Sequence, residues 1–117
     1  MPSRMHNQLG SIIIDDTVVA NLACSAAMET YGIVGLAAQN TKDGLYELLR
    51  LENMTKGVTV TAKSETEIVI DLSVIMEYGV RIAVVADNVI DKIKYNVESL
   101  TGLTVDAVNV IVQGIRV

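Results

Sequence analysis

The side chains that could do chemistry in this sequence are His6, Cys24, the adjacent carboxylates Asp15 and Asp16, and the pair Asp87 and Asp91. His6 is the single histidine and Cys24 the single cysteine. Metal binding by such residues needs partners at ligand spacing, as in C-x-x-C or H-x-x-x-H, and neither pattern occurs. A nucleophilic Cys24 would need a nearby base, yet the one histidine lies in an N-terminal stretch without periodicity. Asp15 and Asp16 read as a helix cap, and Asp87 and Asp91 lie one turn apart on a solvated helix face. General acid–base work needs carboxyls whose surroundings push their pKa values apart, and nothing near either pair supplies that. The phosphate-cradling patterns G-x-x-x-x-G-K-[ST] and strand-led G-x-G-x-x-G are missing. The reading is a non-catalytic protein with no catalytic residues, no metal and no cofactor.

One motif points elsewhere. Gly32-Ile33-Val34-Gly35 is a G-x-x-G, the loop with which KH domains clamp a nucleic-acid backbone. That loop normally joins two helices among basic neighbours, whereas here an apolar run follows and no Lys or Arg adjoins. A helix C-cap leading into a strand explains the same glycines sterically. A nucleic-acid-binding module using this loop stands as one alternative function. A small-molecule binder is another, and it would need a pocket with convergent polar groups.

The 117 residues suffice for one domain, placed at 9–117 behind a mobile tail at 1–8. Half of the residues are hydrophobic, but the only aromatics are four Tyr, so Val, Ile, Leu and Ala must fill the core. The net charge of −5 and the scattered Lys and Arg disfavour phosphate backbones and anionic lipid, so neither nucleic acid nor direct membrane insertion is expected. A lone cysteine precludes an internal disulfide and suits a reducing compartment. Met1 to Gln8 lacks the apolar stretch of a signal peptide, and no apolar run reaches the ~20 residues of a spanning helix. A cytoplasmic location is expected.

Periodicity supplies the elements. Ser11 to Ile14 reads as a strand, and Asp15 and Asp16 can cap a helix whose apolar face is Val18, Val19, Leu22, Ala23, Ala26 and Ala27. Gly32 closes that helix, and Ile33 to Ala38 reads as a second strand. After the turn signal Asp43-Gly44, Leu45, Leu48 and Leu49 suggest a short helix ending near Asn53. Val58 to Lys63 and Glu67 to Glu77 alternate strictly, with a hairpin at Ser64-Glu65-Thr66. A long helix then carries Ile82, Val85, Ala86, Val89, Ile93, Val97 and Leu100 on one side. Asp87, Asp91, Lys94 and Glu98 hold the other side, spaced to pair across a turn. Thr101-Gly102 ends it, and Val105 to Val117 alternates as the last strand. The fold class is α+β in the order β-α-β-(short α)-β-β-α-β, one mixed sheet covered on one face by two main helices. The two halves share a βαβ plan, with a weak side-chain match.

The first helix is unusual on its outward side. Thr17, Ala20, Asn21, Cys24, Ser25 and Met28 carry no charge, where a solvated face normally has Lys, Glu or Arg. Small uncharged residues allow close approach without desolvating charge. Two readings stand: a contact surface for a second copy or a partner, or a face covered by the tail or the short helix.

The ordered set Gly10-Ser11-Ile12, Val18-Val19-Ala20, Ala26-Ala27, Tyr31-Gly32-Ile33-Val34-Gly35, Lys56-Gly57-Val58, Ile70-Asp71-Leu72, Tyr78-Gly79, Asn88-Val89, Thr101-Gly102-Leu103 and Val108-Asn109-Val110 resembles the alkaline shock protein family. These are envelope stress response proteins of Gram-positive bacteria. The resemblance runs from about Gly10 to Val117. It implies a cytoplasmic, non-catalytic stress response protein of cell-envelope homeostasis that self-associates as a homo-oligomer. In that family some members reach the membrane through a membrane-protein tether. Founding members carry longer charged ends than this chain, which removes the support for any role that depends on them.

Overall fold

The structure is a computed structural model that describes the backbone of residues 3–40, 45–48 and 56–117, and the side chains of 4–5, 8–37 and 56–117. Its elements are β1 (Ser3–Asn7), β2 (Gly10–Ile14), α1 (Asp16–Met28), β3 (Ile33–Asn40), β4 (Leu45–Leu48), β5 (Val58–Ala62), β6 (Glu67–Glu77), α2 (Ile82–Thr101) and β7 (Thr104–Arg116). The α+β class stands.

β6 is the spine. Its alternation buries Ile68, Ile70, Leu72, Val74 and Met76 on one face, while Val69, Asp71 and Ser73 are half-buried on the other. Each such buried side chain contributes about 1.5–3 kcal/mol. β7 runs parallel to β6 along its whole length, from Glu67 opposite Thr104 to Glu77 opposite Arg116. The other edge of β6 is shared end to end, antiparallel, by β5 (Val58 opposite Leu72) and β3 (Leu36 opposite Val74). A parallel pair cannot be joined by a hairpin, and α2 is the crossover between β6 and β7. β7 contributes Val105, Val108, Val110 and Val112 to the core side. Val105 joins them because the register slips by one residue at Asp106; a second slip falls at Gln113.

Both helices pack on the same face and share one core with β6. α1 starts at Asp15, whose carboxylate accepts from the Thr17 N–H at 3.0 Å, and the same bond holds that carboxyl below its ordinary pKa. α2 buries Val85, Val89, Ile93 and Val97. It ends at Gly102 in the left-handed conformation, φ 77°, whose N–H donates to Glu98 O. Lys92 and Glu29 bridge the two helices at 3.1 Å.

Five expectations are corrected. Residues 3–7 are not a free tail: β1 pairs with β2 in a separate two-stranded ribbon, and the Arg4 N–H donates to Glu65 O at 2.9 Å. The polar composition hid this because the pairing is carried by backbone groups. Among the described residues there are accordingly two sheets, and only the five-stranded one is mixed. β2 and β3 lie in different sheets, so the shared βαβ plan holds only for β6-α2-β7. Residues 45–48, expected in a short helix, form β4 antiparallel to β3. Four residues flanking a strand edge are fixed by pairing, not by local propensity. The remainder of that helix and the turn at 41–44 lie outside the described residues. Finally, α1 ends at Met28 with Glu29 as its C-cap, and Gly32 instead makes the turn into β3 at φ 97°.

Candidate interaction surface

The chemistry-bearing residues are dispersed. Cys24 is buried, 7% exposed, and burial pushes its thiol up to about 11. A thiol so protonated at neutral pH is a poor nucleophile and a poor ligand. Asp15 serves as the α1 cap, and Asp87 and Asp91 stand exposed on α2. His6 lies on β1. Among the described residues no group of three or more His, Cys, Asp or Glu converges to hold a metal.

The uncharged face of α1 is split. Thr17, Asn21 and Ser25 are exposed and Met28 is half-buried, but Ala20 and Cys24 belong to the core. The helix is turned so that these two small residues meet the sheet: Ala20 shares a depression with Val58, Thr59 and Val60 of β5. Val18, expected inside, is exposed in their place. Covering does explain Ala20, and the cover is β5 in place of the tail or the short helix.

The G-x-x-G is built into the sheet. Gly32 and Gly35 are buried, Ile33 pairs with Met76, and Gly32 O accepts from the Glu77 N–H at 2.9 Å. Of the steric reading, the tight entry into a strand holds for Gly32, at φ 97°, while the helix cap does not; Gly35 sits where the β3–β6 register shifts.

A different surface gathers where α1 ends and α2 begins. Tyr31, Val80, Arg81, Val84, Val85 and Asn88, with Gly79, line an open cleft of about 250 Å³. Tyr31 is 82% exposed and Tyr78, adjoining Gly79, is 71% exposed; Ile82 and Val84 are also exposed. Gly79, at φ 93°, swings the chain from β6 toward α2 and leaves Tyr78 outside. Arg81, at the α2 N-cap, is exposed and lines the cleft. The arrangement offers aromatic and aliphatic contact area, one cation and one amide, the mix found at protein–protein contacts. In the sequence, Tyr31 and Tyr78 stand out only as members of the ordered set that carries the family resemblance. The available signal was the repeated Tyr-Gly pair in a chain with no Phe or Trp, since a turn glycine pushes its neighbour outward.

Among the described residues no helix is long and apolar enough to cross a membrane. No solved structure matches the chain. Three bacterial proteins, each called uncharacterized, are similar to it. YloU of Bacillus subtilis is 47% identical over 118 residues, covering 100% of this chain and 98% of its own. Spy1614 of Streptococcus pyogenes is 40% identical, covering 100% and 97%. YqhY of Bacillus subtilis is 30% identical, covering 92% and 78%. Residues 4–117 match the alkaline shock protein 23 family, described as having a cell envelope-related function. The chain belongs to that family.

Proposed function

We propose that this protein is a non-catalytic scaffold of the envelope stress response, acting in the cytoplasm by binding other protein and further copies of itself. Membrane association, where it occurs, would run through a membrane-protein partner. The observation that carries this reading is that Tyr31 and Val84, both exposed, line the cleft, and that Tyr78 and Ile82, next in sequence to its residues Gly79 and Arg81, are exposed as well. Exposed Tyr beside aliphatic residues is costly to leave in water and supplies the anchors of specific contacts. The exposed, uncharged residues Thr17, Asn21 and Ser25 of α1 offer a second contact strip.

Capture from soluble and membrane fractions of native cells, with wild type compared against Tyr31→Glu and Val84→Glu, tests the reading. Both positions are exposed, so the fold should survive. Specific partners retained by wild type should be lost from the variants. An identical retained set, or a reproducible turnover abolished by one exposed side chain in a folded variant, would overturn it.

A further inference from the structure

We propose that the outer edge of β7 pairs with β7 of a second copy, antiparallel and centred on Ile111, joining two five-stranded sheets into one. This names the self-contact and rests on the self-association proposed above.

Among the described residues β7 is the longest strand, 13 residues, and it pairs only with β6. Among the described residues no strand lies on its other edge. The remaining outer strands, β5 with five residues and β4 with four, are short, which is one way proteins guard an edge. A long open edge presents a row of unpaired backbone groups and is a template for strand addition. At its start this edge is occupied: Glu98 Oε2 accepts from the Val105 N–H at 2.9 Å. Beyond Val105 no such cap is recorded among the described residues.

The occupant follows from the charges. Between Thr104 and Val117 the only charged residues are Asp106 and Arg116, and each lies five positions from Ile111. Antiparallel pairing about Ile111 therefore sets Asp106 opposite Arg116 of the other copy, twice. Centring on Asn109 or Gln113 breaks both pairs. The same register places Val110 opposite Val112 on the core side, where both are only half-buried in the single chain. It places Ile111, exposed on the open face, opposite itself. Asp106 already receives Lys63 at Oδ2, 3.0 Å away, which leaves Oδ1 to accept from an Arg. An unrelated peptide strand would have no reason to share this palindromic pattern, whereas a second copy has it by symmetry.

Ile111→Cys supplies the test, because the native Cys24 is buried. Directly opposed antiparallel residues are ~4.5–5.5 Å apart at Cα, within disulfide reach. Under mild oxidation Ile111→Cys should give a covalent species of twice the 12.6 kDa chain mass. Asn109→Cys, four strand positions (~13 Å) from its own copy in this register, should give at least several-fold less. In sedimentation, Asp106→Arg or Arg116→Asp alone should weaken the dimer about tenfold, and the two together should restore it. Wild type that stays monomeric at all concentrations removes self-association and this pairing with it. Wild type that associates, with Ile111→Cys no better linked than Asn109→Cys and no rescue by the double exchange, overturns the β7 contact alone.

Discussion

Gly32 and Val85 stand so close that a β-carbon on Gly32 would lie 2.8 Å from Val85 Cγ2 and 3.2 Å from Cγ1. This contact locks the turn after α1 against the first turns of α2, directly beneath the cleft that Tyr31 and Val84 flank.

Gly32→Ala is therefore expected to destabilise the fold by about 2–4 kcal/mol, combining the left-handed φ of 97° with the clash. Val85→Ala relieves the clash but not the backbone strain. Urea titrations should show the double variant less destabilised than the sum of the singles, with about 1 kcal/mol or more of favourable coupling. Strict additivity would mean that the two side chains do not meet.

Glu98 performs a comparable local task. Its carboxylate reaches forward seven residues to hold the Val105 N–H. Glu98→Ala should cost about 1–3 kcal/mol, because a part-buried donor loses a charged acceptor. Glu98→Gln, which keeps an acceptor oxygen, should cost less. Amide hydrogen exchange at Val105 should quicken in the same order, and an unchanged rate in Glu98→Ala would refute the role.

What the sequence revealed follows from how far each interaction reaches. The alternation of Glu67 to Glu77 and the hairpin into it are local patterns, and β5 and β6 appear where expected. Asp15 and Gly102 were readable as helix ends because capping is set by neighbouring backbone. Rotation of α1 was not readable: Val18 and Ala20 are both apolar, and which one turns inward depends on β5, some forty residues away. β4 escaped for a related reason, since Leu45 and Leu48 suit a helix until β3 offers its edge. The surface at Tyr31 and Tyr78 is brought together by the sheet, joining α1's end to α2's start across half the chain.

The β1–β2 ribbon is attached to the domain by the bond from Arg4 N–H to Glu65 O and lies with Met5 Sδ near Gly102. Proline at position 4 removes that donor. Arg4→Pro should speed limited proteolysis within residues 3–14 several-fold while leaving the urea midpoint of the core nearly unchanged. Equal proteolysis in the variant and wild type would show that this bond does not hold the ribbon.

Cys24 gives the fold an alkaline weakness. Burial raises its thiol from 9.0 to about 11 in the folded chain, because the thiolate is the form that loses solvation. Between about pH 9 and 11 the unfolded chain therefore gives up a proton that the folded chain keeps. Bound protons are then fewer in the unfolded state, so stability falls as pH rises through this window and levels off above it. The loss should be on the order of 2–3 kcal/mol. Tyr and Lys groups titrate in the same range, so the measurement is a difference between wild type and Cys24→Ala. The variant has its own constant offset but lacks the thiol's slope, and the gap between the two curves should change from pH 9 to 11. A gap that stays constant across that range would show that Cys24 ionises as freely in the folded chain as in the unfolded one.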